Sequence, residues 1–202
     1  MRVIVVGATG TIGRSVAKLL IAEHKVVKVG SNSGDFRADI TNRDSLEQLF
    51  KEIGPFDALV CAAGVARFAP LDELSDQDFQ LGLTSKLMGQ VNLVRAGLSH
   101  MNDNGSFTLT SGVLSQQPMP GSSSISMVNA GIEGFVRAAA LEMPRGIRIN
   151  AVSPPWVKET LEALGMDTSI GMPAERVAQA YRSSVSGSRS GIIINARDFA
   201  GN

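Results

Sequence analysis

Short apolar runs alternate with longer amphipathic stretches along most of the chain. Val3–Val6, Val26–Val29, Phe36–Ala38, Ala58–Cys61, Ser106–Thr110, Ile147–Val152 and Ile192–Ile194 are short, and several are β-branched at nearly every position. Such runs predict strands covered on both faces, since a half-exposed strand alternates apolar with polar residues. Thr11–Ala22, Asp44–Ile53, Asp76–Met101 and Ile125–Glu142 instead carry apolar residues at helical spacing, the third with a break expected near Gly82. Asp44 and Glu47 behind Thr41-Asn42 mark a helix start. Alternating strands and helices predict an α/β fold, a doubly wound parallel sheet of about seven strands with helices on both faces. No repeat or linker interrupts the pattern, so residues 1–202 are expected to form one domain.

Composition narrows the partners. The 19 basic and 19 acidic side chains cancel, which gives no electrostatic pull toward nucleic acid or anionic lipid. No run approaches the roughly 18 apolar residues of a membrane helix. The apolar start Met1–Val6 is too short for a signal-peptide core, so a cytoplasmic protein is expected. The one cysteine, Cys61, excludes an intrachain disulfide, and its small apolar neighbours mark it as a buried structural thiol. His24 and His100 lie far apart near helix ends, without metal-ligand spacing, and are expected at the surface.

The chemistry begins at Gly7-Ala8-Thr9-Gly10-Thr11-Ile12-Gly13-Arg14, where three glycines follow the first strand and open an amphipathic helix. Glycine there allows the tight turn, lets the backbone approach a pyrophosphate and packs the helix closely on the sheet. The helix N-terminus then offers N–H groups and a positive dipole end to phosphates. In this context the triplet points to dinucleotide binding. A site for NAD keeps an acidic residue at the end of the second strand for the ribose 2′-hydroxyl. Here Gly30-Ser31-Asn32-Ser33-Gly34 follows, so Ser31, Asn32 and Ser33 are small groups suited to a 2′-phosphate, with Arg14 and Arg37 within sequence reach. Asp35 is the competing hydroxyl ligand, and a plain Gly/Ser turn is the alternative without a ligand. The balance favours NADP over NAD.

With the glycine loop, further segments resemble the short-chain dehydrogenase/reductase family from residue 2 to about 195. Asp39-Ile40 matches the family's Asp-hydrophobic pair beside the adenine, and Cys61-Ala62-Ala63-Gly64 stands where the family has Asn-Asn-Ala-Gly. Arg148-Ile149-Asn150-Ala151-Val152-Ser153-Pro154-Pro155 resembles Arg-Val-Asn-x-Val-x-Pro-Gly, with Pro155 replacing the glycine. Ser190-Gly191 before Ile192–Ile194 resembles the final strand. The resemblance implies a Rossmann-type domain. It also implies a cofactor site of Gly7, Thr9, Gly10, Thr11, Ile12, Gly13, Ser31, Asn32, Asp39, Ile40, Ala62, Ala63, Gly64, Pro154 and Val157. It further implies a small-molecule substrate, and a homodimer or homotetramer paired through the helices around Lys86–Met101 and Ile125–Glu142. Gly89, Ala96, Gly97, Gly131, Gly134, Ala138 and Ala139 would permit close helix pairing.

The family's catalytic pattern is where the chain departs. Asn129-Ala130-Gly131-Ile132-Glu133-Gly134-Phe135 sets the register and leaves Ile125 at the position of the catalytic tyrosine and Asn129 at that of the lysine. Between Asp103 and Val157 there is no tyrosine or lysine at all, and the chain's single tyrosine is Tyr181. Gly112 aligns with the catalytic serine, with Ser111 just before it, and Lys86 aligns with the active-site asparagine. Hydride delivery to a carbonyl builds charge on oxygen that must be protonated or stabilised. Lys86 and Ser111 are the candidate catalytic residues. A lysine deep in a cleft has a lowered pKa and can serve as acid or clamp, whereas a lysine on a solvated helix face does neither. Ser115 and Ser122-Ser123-Ser124 are further hydroxyls, or else turns and caps. Trp156 is expected over the cleft or at a subunit contact, with ordinary packing the favoured alternative. Two functions follow from this pattern: an NADP-dependent reductase of a small carbonyl with an unusual proton donor, or a lapsed member kept as dinucleotide sensor or scaffold.

Overall fold

Residues 1–199 are described by a computed structural model. Seven parallel strands form one sheet: β1 (Arg2–Val6), β2 (Lys25–Gly30), β3 (Phe36–Arg37), β4 (Phe56–Cys61), β5 (Met101–Thr110), β6 (Arg148–Ser153) and β7 (Ile193–Asn195). Their order is β3-β2-β1-β4-β5-β6-β7. Side chains of a strand point alternately to its two faces, and both faces here are covered. Val3 and Val5 pack with Ala58 and Val60 on one face, and Ile4 and Val6 with Leu59 and Cys61 on the other. That double burial is why the sequence shows apolar runs instead of alternation.

Helix α1 (Thr11–Leu20) covers the first face, and α2 (Arg43–Ile53) covers the second through Leu46, Leu49, Phe50 and Ile53. Asn42 caps α2 by accepting from the Ser45 N–H at 3.1 Å. Each such buried leucine, isoleucine or phenylalanine contributes about 1.5–3 kcal/mol of transfer energy. The third helical stretch does not break at Gly82. It runs through α3 (Asp76–Gly82), a π-helical segment Leu83–Met88 and α4 (Gly89–Gly97) without leaving helical backbone. It also stops short of the predicted end, because Met101 already pairs with Phe56 as the first residue of β5.

Helix α5 (Ser123–Ala139) follows prediction, whereas α6 (Lys158–Ala163) and α7 (Ala174–Ser186) were not foreseen. Helix α7 lays Val177, Ala178, Tyr181 and Val185 on the same face as α1 and completes that layer. His24 and His100 are half-buried, not surface residues, and His100 stacks on Phe50 with ring centroids 5.9 Å apart. Several small helical residues expected to serve an interface face inward instead. A side chain on Gly89 would meet Ile40, one on Gly97 would meet Phe50 and Phe107, and one on Gly131 would meet Leu87, while Gly134 faces open space.

Candidate active site

The chain reverses direction across the sheet between β1 and β4, and their carboxyl ends leave a crevice there, the position where open α/β sheets bind ligands. Gly7 turns the chain out of β1 with φ of +81°, and an added Cβ would lie 2.8 Å from the Ala62 carbonyl carbon. A Cβ on Gly13 would sit 2.0 Å from the Gly7 carbonyl oxygen, so α1 presses directly on the loop. Gly10 caps α1 with no side-chain hydrogen bond, which leaves the first-turn N–H groups to a ligand.

A cleft of about 320 Å³ opens here, lined by Gly7, Thr9, Gly10, Ser31, Asp39, Ile40, Ala62, Ala63, Gly64 and Ser85, among others. Thr11, Gly13 and Asn32 do not line it. Asp39 is on its wall, but Oδ1 accepts from the Thr41 N–H and hydroxyl at 2.8 and 2.7 Å, which shapes the turn. Asp35 is turned away to accept from the Lys28 N–H at 2.8 Å. Arg14 donates to the Thr9 carbonyl at 3.1 Å and, with Lys18 and Lys28, lines a groove that meets the cleft at Thr9.

Further in, a cavity of about 170 Å³ is walled by Ile12, Val113, Leu114, Ile125, Pro154, Pro155, Trp156 and Val157, with Lys86, Ser111 and Asn129 among its polar members. Lys86 is its one ionisable lining residue. Lys86 is half-buried as a residue, while its ammonium is wrapped by protein, with one hydrogen bond, to the Ser111 carbonyl at 3.2 Å. Burial pushes its pKa from 10.5 down to about 8. No carboxylate lies within ion-pair distance of Lys86 among the described residues. Gly64 (φ +126°) lets the loop after β4 press on this lysine, for a Cβ there would be 2.8 Å from the Lys86 Cα.

Ser111 enters the site by its carbonyl. Its hydroxyl points the other way, toward Glu133 at 3.3 Å and the Val152 carbonyl at 3.4 Å. Glu133 is buried and satisfied by Ser115, Gln116 and Arg137, a structural network the sequence did not signal. Asn129 is 1% exposed; its Nδ2 donates to the Gly112 carbonyl at 3.4 Å, and its Oδ1 is buried without a partner. Ile125 supplies only an apolar wall. Tyr181 is remote, buried beneath the sheet with its hydroxyl 2.7 Å from Thr110 Oγ1. Cys61 is buried and its thiol is pushed up to about 12, so it stays protonated and inert. Trp156, on the cavity wall, packs edge-on to Phe68 with ring centroids 5.6 Å apart.

Residues 7–184 match a family model described as enoyl-(acyl carrier protein) reductase. The cis-4-hydroxycyclohexanecarboxylate dehydrogenase of Sinomonas cyclohexanicum is 30% identical over 197 residues, spanning 85% of this chain and 76% of its own. Against other curated reductases the match spans from 50% to 88% of their own length. A crystal structure of a Listeria innocua protein superposes with a TM-score of 0.93 at 40% identity, over 96% of this chain and 98% of that one. A small-chain dehydrogenase solved with NADPH superposes with a TM-score of 0.87 at 28% identity, over 100% and 99%.

Proposed function

The chain belongs to the short-chain dehydrogenase/reductase family, and we propose that it is an NADP-dependent cytoplasmic oxidoreductase acting on a small carbonyl or alcohol with Lys86 as its proton-transfer group. The single observation that carries this reading is Lys86, a cation without a carboxylate partner in a mostly apolar cavity next to the crevice at the glycine loop.

The crevice fits NADP on three counts. The loop glycines clear its floor, and the uncapped first turn of α1 accepts phosphate. Asp39 shares the cleft with Ser31 but is held by Thr41, while Arg14 and Lys28 in the adjoining groove favour a 2′-phosphate, Lys18 there being paired with Glu175 at 2.8 Å. The orphaned Asn129 Oδ1 suits a ribose hydroxyl donor on the nicotinamide side. Pro154 and Val157 wall that side. When bound, NADPH supplies the hydride.

The protein's own part is the proton. Near neutral pH the Lys86 ammonium is charged, and two of its three donors are not taken by the Ser111 carbonyl. One of them donates to the substrate oxygen and stabilises the charge that grows there. As that oxygen takes the proton, Lys86 becomes neutral, which its buried surroundings favour. The Ser111 carbonyl keeps the nitrogen aimed into the cavity, and the apolar walls exclude water. We read Ile125 and Asn129 as standing where relatives keep the catalytic tyrosine and lysine, so that Lys86 replaces the phenol as acid.

Ile125 also favours a second reading. With an isoleucine where a proton donor belongs, the fold would act as a dinucleotide sensor or scaffold. Titration of the protein with NADPH and NADH, then a cofactor-oxidation screen against aldehydes, ketones and quinones, separates the two. Turnover lost in Lys86→Met supports the enzyme, and tight binding without turnover supports the sensor. A homodimer or homotetramer through α4 and α5 is proposed as well, supported by exposed Met88 and Met127, and a monomeric mass in light scattering would refute it.

A further inference from the structure

We propose that Gln90 is a positioning residue, whose single side-chain amide locks the π-helical segment before α4 to the end of β5 and so fixes where the Lys86 ammonium points. The inference rests on the proposed role of Lys86. Strand β5 loses its neighbour near its end: Val60 pairs with Thr108, β4 finishes at Cys61, and no backbone remains to pair with Thr110 on that side. The other side is served by β6, where the Ser111 N–H donates to the Val152 carbonyl at 2.9 Å.

Gln90 takes the place of the missing strand. Its Oε1 accepts from the Thr110 N–H at 2.8 Å, and its Nε2 donates to the Thr110 carbonyl at 2.9 Å. The second Nε2 hydrogen reaches the Lys86 carbonyl at 3.0 Å. The side chain is fully buried, so both N–H bonds and the oxygen are used and none faces water. A buried amide satisfied in this way holds a unique geometry, because breaking any bond leaves a polar group unpaired.

Lys86 and Gln90 lie four residues apart, one turn of helix. The lysine grips Ser111 by its Nζ, and the glutamine grips Thr110, the preceding residue of the same strand end. A wide π turn has more backbone slack than an α turn, and such turns concentrate at functional sites. Tying the Lys86 carbonyl to the strand removes that slack at the residue whose nitrogen must reach the cavity.

The test reads Lys86 itself, so it stands whether or not Lys86 proves to turn substrate over. Other titratable groups around it are few. Cys61 on β4 faces it and stays neutral, Tyr181 on α7 lies beyond Thr110, and Glu133 on α5 lies across Ser111 with Arg137 as its counter-ion. In the full chain without cofactor, the Lys86 ammonium is titrated by NMR with isotope-labelled lysine, its signal assigned with Lys86→Met. Gln90→Glu keeps the acceptor for Thr110, removes both donations and adds a negative charge. Gln90→Leu removes all three bonds.

Both variants are expected to move the Lys86 midpoint upward from about 8, by about one unit or more. A folded variant whose Lys86 titrates as in the wild type would overturn the proposal and leave Gln90 merely structural. Should neither variant fold, the wild-type chain decides the matter. Its Gln90 side-chain amide protons and Thr110 N–H are expected to exchange at least about 100-fold slower than free amides. Exchange at the free rate would overturn the clamp.

Discussion

Replacing Lys86 with methionine should make the protein more stable at neutral pH and cost it its reaction. The wrapped ammonium has its pKa lowered from 10.5 to about 8. At about 1.36 kcal/mol per unit, holding that charge in the folded state costs about 3 kcal/mol below pH 8. Methionine has a similar length and no charge, and it forgoes one hydrogen bond to the Ser111 carbonyl, worth about 1 kcal/mol. The net gain at pH 7 is about 2 kcal/mol. The sign of the pH dependence follows from proton counts. Between pH 8 and 10.5 the unfolded chain keeps the lysine proton that the folded chain has released. Wild-type stability therefore gains on the variant across that window, by about 2 kcal/mol between pH 8 and 9.5. Groups elsewhere titrate alike in both proteins and drop out of the difference. Urea unfolding of the cofactor-free proteins, followed by Trp156 fluorescence at pH 7 and 9.5, measures it. A difference that does not change with pH, or a wild type already the more stable at pH 7, would refute the reasoning.

Three further outcomes are expected. The rate of carbonyl reduction should fall as pH rises through about 8, because Lys86 must carry the proton, while alcohol oxidation should rise over the same range; identical profiles in the two directions would count against Lys86. Gly7→Ala places a Cβ against the Ala62 carbonyl at a positive φ, so about 1–3 kcal/mol of stability and most NADPH affinity should go, as read by melting and fluorescence titration. Tyr181→Phe removes one buried hydrogen bond while Thr110 Oγ1 still donates to the Cys61 carbonyl; the loss should be about 1 kcal/mol, with NADPH affinity unchanged.

All seven strands could be read from the chain because both faces of the sheet are covered, and that leaves a plain apolar signature. The glycine loop was legible for a related reason, since close backbone contact at Gly7 and Gly13 tolerates no other residue. Lys86 could be aligned but not placed, because one sequence does not distinguish a lysine in a cleft from one in water. Helix α7 does carry a signal, with Pro173 ahead of Val177, Ala178, Tyr181 and Val185 at helical spacing, but the run is short and follows a mixed polar and apolar stretch with no strand directly before it. Gln90 and Glu133 carried none. Polar residues on a helix predict a solvent face, and only the tertiary structure shows that one replaces a missing strand and the other gathers two serines. Ser111 meets Lys86 through its carbonyl and not through the hydroxyl the sequence suggests, since side-chain direction at a strand end depends on which neighbour the backbone pairs with.

The most direct test of the account is NADPH oxidation against a panel of small carbonyl compounds by wild type and Lys86→Met, with NADPH binding measured in parallel. The account predicts that both proteins bind NADPH with similar affinity and that the variant loses turnover by a factor of about 10² to 10⁴. Equal turnover by the two proteins would contradict it.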